Sequence, residues 1–276
     1  MRVYVSSDIE GVAGVVNAEQ TSPSGAIEYQ RARRLMTFEV NAAVRAAFEA
    51  GAAAVVVNDA HGPNTNLLVE ELDERVELFT GRPKPLNMVQ GIDEGFDAAL
   101  FLGYHALPGT AEAILDHAYM GSVVDGIQLA GEPQGEFGLN AMLAGSFGVP
   151  VVMASGDDKL ATEIEALLPD AEVAVVKWAA SRTAARTLTP ATARVAIASA
   201  VTRALREVRA ECLLQPPEPP IDLEVRFVST AQADLAALLP GAERVDGRTL
   251  RYVGDDYVQV FKTCRALLLL GAAAGR

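Results

Sequence analysis

Short, β-rich apolar segments alternate with longer amphipathic segments through the first two thirds of this 276-residue chain. Because parallel strands need long crossover connections, which are usually helices, this alternation predicts a parallel sheet. The predicted strands are Arg2–Ser7, Ala53–Asp59, Ala98–Tyr104, Pro150–Ala154 and Val173–Trp178. The predicted helices between them are Ile27–Ala50, Leu139–Phe147 and Leu160–Leu168. We therefore expect a doubly wound, mostly parallel α/β sheet with its functional residues at the carboxyl ends of the strands.

The last third of the chain predicts a smaller second unit. Thr189 and Pro190 form a helix start signal, and Ala191–Glu211 continues that helix. The Pro-rich segment 215–220 fits neither a helix nor a central strand, so it predicts a stiff connector. A β-α-β-α pattern follows at Asp222–Phe227, Thr230–Leu239, Thr249–Val253 and Asp256–Leu270. We expect an α/β catalytic domain at 1–188 and a smaller α+β domain at 189–276 that serves assembly and substrate enclosure.

The composition excludes several classes of partner. The net charge is −13 and no run is rich in Lys or Arg, which argues against binding to nucleic acid or to an anionic membrane surface. The longest apolar runs fall well short of the roughly 18 residues that span a bilayer. Cys212 and Cys264 lie far apart and indicate buried thiols. The segment before Asp8 has no room for a signal-peptide core, so we expect a soluble cytoplasmic protein.

Acidic side chains and histidines follow the predicted strands. The first strand ends in Asp8-Ile9-Glu10, where strand alternation would point both carboxylates to one side. His61 follows the second strand, His105 ends the third, and Glu136 precedes a predicted helix. Because the carboxyl ends of parallel strands meet at one edge of the sheet, these five side chains are expected to converge there.

These five residues form a mixed set of nitrogen and oxygen ligands. Carboxylates that meet at one edge repel one another and raise each other's pKa unless a cation compensates. Two histidines with three carboxylates suit zinc or a similar divalent ion, whereas calcium prefers more oxygen ligands. Five ligands exceed the need of one catalytic zinc, so a bridging carboxylate would make two ions about 3.5–4 Å apart plausible. Such a pair activates water and polarises a carbonyl, which predicts a hydrolase.

Other interpretations of the same residues stay open at this point. Asp-x-Glu can be a solvated turn, a lone histidine can be structural, and Asp59 can hydrogen-bond its own turn. A non-catalytic module that binds a metal or nucleotide is one alternative, although Gly11 and Gly14 do not complete a G-x-G-x-x-G motif. A phosphomonoester hydrolase is another, although no Arg or Lys lies near the motifs in sequence to bind a phosphoryl group.

The segments around the candidate ligands resemble the D-aminopeptidases of bacterial dipeptide-transport operons. The similar segments, in order, are 7–11, 57–61, 101–106 and 135–141, and the similarity extends through 156–158 and the Pro-rich connector. The resemblance implies an aminopeptidase that removes the N-terminal residue of short peptides containing D-amino acids. It also implies a self-compartmentalising homo-oligomer, expected to be a decamer, and two zinc ions per subunit. The ligands that it implies are Asp8, Glu10, His61, His105 and Glu136.

The same resemblance assigns a catalytic role to His117. The residues alone would place this histidine in a loop without a function. It could act as a proton shuttle, a transition-state stabiliser or a nucleophile. We favour proton transfer and oxyanion stabilisation, because a metal-activated water already supplies the nucleophile.

Overall fold

A computed structural model describes residues 1–274. The strands are β1 (Arg2–Ser7), β2 (Ala54–Asp59), β3 (Val76–Phe79), β4 (Ala98–Leu102), β5 (Val124–Leu129), β6 (Glu132–Pro133), β7 (Val151–Asp157), β8 (Glu172–Ser181), β9 (Ala184–Thr187), β10 (Ile221–Phe227), β11 (Glu243–Arg244) and β12 (Thr249–Gly254). The α-helices are α1 (Ala18–Thr21), α2 (Ala26–Glu49), α3 (Glu136–Ser146), α4 (Asp158–Leu167), α5 (Pro190–Arg206), α6 (Thr230–Ala236) and α7 (Tyr257–Ala273). All the predicted strands and helices are present, with shifted ends.

The larger sheet has the strand order β3-β2-β1-β4-β7-β8-β9. All neighbouring pairs are parallel except β8 and β9. Helices α2 and α5 cover one face with an apolar core, and α3 and α4 pack against the other. Because both faces are buried, the central strands are nearly continuous apolar runs. The predicted doubly wound, mostly parallel sheet is therefore confirmed.

A second, antiparallel sheet has the order β11-β12-β10-β5-β6, and α6 and α7 pack on it. Its strand β5 comes from the segment between β4 and α3. Conversely, α5 packs against α2 and β8 of the larger sheet, and it ends at Arg206, earlier than predicted. Strand β5, which precedes the expected boundary at residue 188, thus belongs to the second sheet, and helix α5, which follows that boundary, packs on the larger sheet. The division into 1–188 and 189–276 stays a prediction.

The cysteines and the apolar segments lie inside the fold. Cys212 and Cys264 are free and buried, as predicted. The apolar run near the end of the chain forms part of α7, whose Leu267 and Leu268 are fully buried in the core of the second sheet. Within residues 1–274, no helix combines the length and the apolar character that crossing a membrane requires.

The order of the larger sheet reverses between β1 and β4. From β1 the chain proceeds through β2 to β3 on one side, and from β4 through β7 to β8 on the other. In open α/β sheets, the crevice at such a reversal is the usual ligand site. Here the backbones that follow the two strands are hydrogen-bonded: Asp8 N donates to Leu102 O at 2.8 Å, and Gly11 N donates to Gly103 O at 2.7 Å.

Two glycines permit this close contact. A Cβ atom on Gly11 would overlap the carbonyl oxygen of Tyr104. Gly103 has a φ of +66°, and a Cβ atom there would overlap the carbonyl oxygen of Asp8. Backbone atoms cannot yield as a flexible side chain can, so a larger residue at either position would separate the two strand ends.

We expect Gly11→Ala to lower the free energy of unfolding by about 1–3 kcal/mol, the usual cost of overpacking. The matched control is Gly126→Ala on β5, where an added Cβ meets no other atom within 4 Å. Urea unfolding of the three proteins measures the difference. Equal stability of the two variants would show that the contact between the strand ends is not a tight constraint.

Candidate metal centre

The structure brings the predicted ligands together at the carboxyl edge of the larger sheet. His61 Nδ1 lies 3.0 Å from Asp8 Oδ1 and 3.0 Å from Glu10 Oε2. His105 Nε2 lies 3.6 Å from Asp8 Oδ2 and 3.4 Å from Glu136 Oε1. All five side chains are buried or nearly so. The predicted convergence is present, and the role of each residue as a ligand stays a prediction.

The local cause of the convergence differs from the prediction at the first motif. Strand β1 ends at Ser7, so Asp8, Ile9 and Glu10 lie in a turn and not in an alternating strand. The turn is closed by a 3.2 Å hydrogen bond from Val12 N to Ile9 O. It directs both carboxylates toward His61 while Ile9 is fully buried in the core. The expected arrangement therefore arises from a turn fixed against β4.

Backbone carbonyls fix the hydrogens on two histidines. His61 Nε2 lies 2.6 Å from the carbonyl oxygen of Thr21, and His105 Nδ1 lies 3.1 Å from that of Ala106. Because a carbonyl oxygen can only accept, these ring nitrogens carry the hydrogens. The lone pairs of His61 Nδ1 and His105 Nε2 then face carboxylate oxygens. Such an arrangement is favourable only when a cation or a proton lies between them.

Two buried polar atoms in this cluster have no hydrogen-bond partner among residues 1–274: Glu10 Oε2 and His105 Nε2. Leaving such atoms unsatisfied costs free energy, so they mark a position where something else binds. Donor atoms of Asp8, Glu10 and His105 lie within 4.8 Å of one another, as do those of His105, His117 and Glu136. Both groups mix nitrogen and oxygen donors, which fits a divalent cation such as zinc.

The pKa values show how bound protons balance the negative charge of the carboxylates in this cluster when no cation is bound. Burial, followed by the charge of Glu10, raises the pKa of Asp8 to about 7. Burial would lower the pKa of His105, but Glu136 and Asp8 raise it to about 10. Burial opposes ionisation of Glu10, yet His61 holds its pKa well below the usual value. Divalent cations in the cluster would supply the same positive charge and displace these protons.

His117 extends the cluster toward the cavity. It lies in the loop between β4 and β5, and its ring stacks on that of His105 with the centroids 4.2 Å apart. Its Nε2 lies 3.6 Å from Glu136 Oε1. Its Nδ1 lies 2.7 Å from the carbonyl oxygen of Leu115 and so carries the hydrogen, which leaves an unprotonated Nε2. Burial, with the charge of His105, lowers the pKa of His117, which favours this neutral form.

Two adjacent aspartates, Asp157 at the end of β7 and Asp158 at the start of α4, bind neighbouring backbone segments, including the loop that contains His117. Asp157 Oδ1 caps α4 by accepting from Leu160 N at 2.9 Å, and its Oδ2 accepts from Ile114 N at 2.9 Å. Asp158 Oδ1 accepts from Ala179 N at 2.8 Å. The segment 156–158 therefore has a structural role that holds the His117 loop against the sheet.

Lys177 is a residue of this site that the sequence analysis missed. It lies on β8, is fully buried, and donates hydrogen bonds to the carbonyl oxygens of Glu10, Val12 at 3.0 Å and Val15 at 2.6 Å. These bonds hold the turn that presents Asp8 and Glu10. The signal in the sequence was a single lysine in the middle of β8, within the otherwise apolar segment 173–180.

Asp59, by contrast, is structural. Its Oδ2 accepts from the backbone nitrogens of Asn66 at 2.5 Å and Leu67 at 2.7 Å, and its Oδ1 accepts from the Asn66 side chain at 2.7 Å. The alternative in which this aspartate hydrogen-bonds its own turn is therefore correct. These bonds shape the segment that follows His61.

A cavity of about 880 Å³ opens above the cluster. Its lining includes Asp8, His61, His117 and Glu136, together with apolar residues and four cationic side chains, Arg82, Lys84, Lys262 and Arg265. The sequence had indicated that no Arg or Lys lies near the motifs. In the folded chain, however, these four cationic side chains do lie near the motifs, because the segment before Asn87 and helix α7 line the same cavity.

A doubly wound sheet with buried carboxylates and histidines at its reversal point, open to a cavity, is typical of metal-dependent hydrolases. The family model described as D-aminopeptidase matches residues 1–266. The chain therefore belongs to the D-aminopeptidase family of peptidases, enzymes that hydrolyse peptide bonds. The resemblance of the motifs to those of D-aminopeptidases is confirmed.

Similarity to D-aminopeptidases of Bacillus subtilis extends over essentially the whole chain, both in sequence and in structure. A D-aminopeptidase of Bacillus subtilis (strain 168) is 37% identical over 280 aligned residues, which cover 100% of this chain and 98% of that protein. The solved structure of the Zn-dependent D-aminopeptidase DppA from Bacillus subtilis, described as a self-compartmentalizing protease, has a TM-score of 0.92 and 35% identity. It covers 99% of this chain and 98% of its own. The similarity therefore extends over both sheets.

Proposed function

We propose that this protein is a zinc-dependent aminopeptidase that releases the N-terminal residue of short peptides containing D-amino acids. The observation that supports the proposal most directly is the buried cluster in which ring nitrogens of His61 and His105 face carboxylate oxygens. Within the described residues, two atoms of this cluster, Glu10 Oε2 and His105 Nε2, have no hydrogen-bond partner. Similarity to a Zn-dependent D-aminopeptidase over 99% of the chain supports both the metal and the substrate class.

We propose two zinc ions per subunit, held by Asp8, Glu10, His61, His105 and Glu136. Asp8 supports this number because its Oδ1 faces His61 and its Oδ2 faces His105, which suits a carboxylate shared by two sites. When bound, zinc supplies a Lewis acid for the scissile carbonyl and lowers the pKa of the attacking water. Tyr119 N donates to Glu136 Oε1 at 2.6 Å and fixes the orientation of that carboxylate.

His117 is proposed to move protons during the reaction. Its Nδ1 is held by Leu115, so the unprotonated Nε2 is the atom that accepts a proton from the attacking water. The same Nε2 then donates that proton to the departing amine. The imidazolium formed between these two steps lies beside the developing negative charge and stabilises it. The rigid loop keeps Nε2 in one place for both transfers.

The substrate class is tested with D-alanyl p-nitroanilide, L-alanyl p-nitroanilide and p-nitrophenyl phosphate on the zinc-loaded enzyme. We expect hydrolysis of the D-substrate, at least about tenfold slower hydrolysis of the L-substrate, and none of the phosphate ester. A chelator should abolish the activity and added zinc should restore it. Preferential cleavage of p-nitrophenyl phosphate would favour a phosphomonoester hydrolase, and full activity without metal would contradict a zinc enzyme.

The roles of His117 and the ligands are separated by measuring zinc content and turnover on the same variants. We expect His117→Ala to retain zinc and to lose about 10²–10⁴-fold in kcat, the scale for a positioned proton-transfer group. Glu136→Ala should instead lose zinc together with activity, because an anionic ligand is removed. If His117→Ala loses zinc while His61→Ala keeps it, the two histidines have the opposite roles.

We also propose that the chain forms a homo-oligomer, expected to be a decamer, in the cytoplasm. The related DppA is described as a self-compartmentalizing protease, which supports self-association. The two free, buried cysteines support a reducing compartment. Light scattering should give a multiple of the 29.1 kDa subunit mass, and a particle of 29.1 kDa at micromolar concentration would contradict the oligomer.

A further inference from the structure

The cavity lining is more cationic than the composition of the chain suggests. The chain has 36 acidic residues against 23 Lys and Arg. Nevertheless, four cationic side chains line the cavity, and none of them forms an ion pair with a carboxylate among residues 1–274. We call this set the cationic wall: Arg82, Lys84, Lys262 and Arg265. The lining carboxylates, Asp8 and Glu136, face histidines instead. Unpaired positive charge in a cavity favours an anionic ligand.

Lys84 is held in place by the strand that precedes His61. Its Nζ donates to Asn58 Oδ1 at 2.7 Å and to the carbonyl oxygen of Asp59 at 2.6 Å. An ammonium group has three hydrogens, so one is left for a ligand in the cavity. Burial lowers the pKa of Lys84 to about 8, and the group is therefore still charged at neutral pH. The lysine is thus fixed relative to the metal centre.

Arg265 is held from the other side of the centre. Its guanidinium lies 5.1 Å from the ring centroid of Tyr119, the residue whose backbone nitrogen donates to Glu136. Within residues 1–274 the Arg265 side chain makes no hydrogen bond or ion pair, so its fork of N–H donors is available. That planar fork matches a carboxylate, which it can bind through two parallel hydrogen bonds.

The same cavity is therefore lined by the candidate metal centre, which is proposed to cleave an amide, and by the cationic wall, which suits an anion. Its volume of about 880 Å³ lies in the range of small-molecule sites and suits a peptide of a few residues. Besides its N-terminal amine, a short peptide has one ionised group whatever its side chains, the C-terminal carboxylate. A carboxylate is therefore the anion that a peptidase of varied short peptides meets in every substrate.

We propose that the cationic wall, principally Lys84 and Arg265, binds the C-terminal carboxylate of short peptide substrates. The inference rests on the proposed aminopeptidase function and adds the determinant of substrate length. Dipeptides and similarly short peptides place a free carboxylate within one cavity length of the scissile bond, whereas amidated or long peptides do not.

The test compares D-alanyl-glycine, which has a free carboxylate, with D-alanyl-glycinamide, which does not. We expect the wild-type kcat/KM for the acid to exceed that for the amide by about 10- to 100-fold, the value of a hydrogen-bonded ion pair. D-Alanyl p-nitroanilide, which lacks a carboxylate, reports the aminopeptidase activity independently. If D-alanyl p-nitroanilide is hydrolysed but the acid-to-amide ratio is near one, the proposed carboxylate site is wrong and the proposed aminopeptidase function stands. No hydrolysis of any of the three would overturn the proposed function and the site with it.

Two variants assign the effect to the cationic wall. Lys84→Met and Arg265→Gln should each bring the acid-to-amide ratio close to one. Lys159→Met is the matched control, because Lys159 pairs with Asp158 outside the cavity, and it should keep the wild-type ratio. Both substrates are measured on the same preparation, so loss of folded enzyme cancels from the ratio. If the acid-to-amide ratio is unchanged in both Arg265→Gln and Lys84→Met, the cationic wall does not bind the carboxylate. If Lys84→Met is inactive, the ratio measured for Arg265→Gln alone tests the proposal.

Discussion

The contact between the backbones that follow β1 and β4 is the constraint on which the site depends. Asp8 and Gly11 donate hydrogen bonds to the residues that end β4, so the turn containing the first two carboxylates lies directly beside the strand that leads to His105. Only glycine at positions 11 and 103 allows this approach. With the two strand ends held together, oxygen and nitrogen donors from four separate segments meet in a small buried volume, where a cation would compensate the repulsion between the carboxylates.

The second sheet completes the site that the first begins. Strand β5 follows the His117 loop, and α7 packs against α3, the helix that begins with Glu136. A 2.8 Å hydrogen bond from Tyr257 Oη to Leu139 O joins these two helices. Because α7 is fixed in this way, its residues Lys262 and Arg265 line the cavity. The C-terminal segment, which contributes none of the predicted ligands, thus lines the cavity above them.

Local patterns in the sequence predicted the larger sheet and the convergence of acidic side chains and histidines at its edge, because buried parallel strands are continuous apolar runs and their ends are marked by polar residues. The sequence pattern did not predict strand β5, because Asp125 and Gln128 are exposed polar residues and Gly126 has a low strand propensity. The catalytic role proposed for His117 rests on family resemblance, because the sequence pattern alone placed this histidine in a loop. Lys177 and Arg265 could not be found, because each reaches the site only through contacts between segments far apart in the chain.

Lys177 has a consequence for how the enzyme acquires its metal. Three carbonyl oxygens of the turn are satisfied by one buried ammonium group, and the turn is therefore shaped by bonds within the protein. Because none of these bonds involves a metal, we expect the turn to form before zinc binds, in contrast to small domains that are unfolded without metal. A preorganised apoprotein selects an incoming ion by its fit to fixed donors. We therefore expect a bound ion to be replaced without unfolding of the turn that carries Asp8 and Glu10.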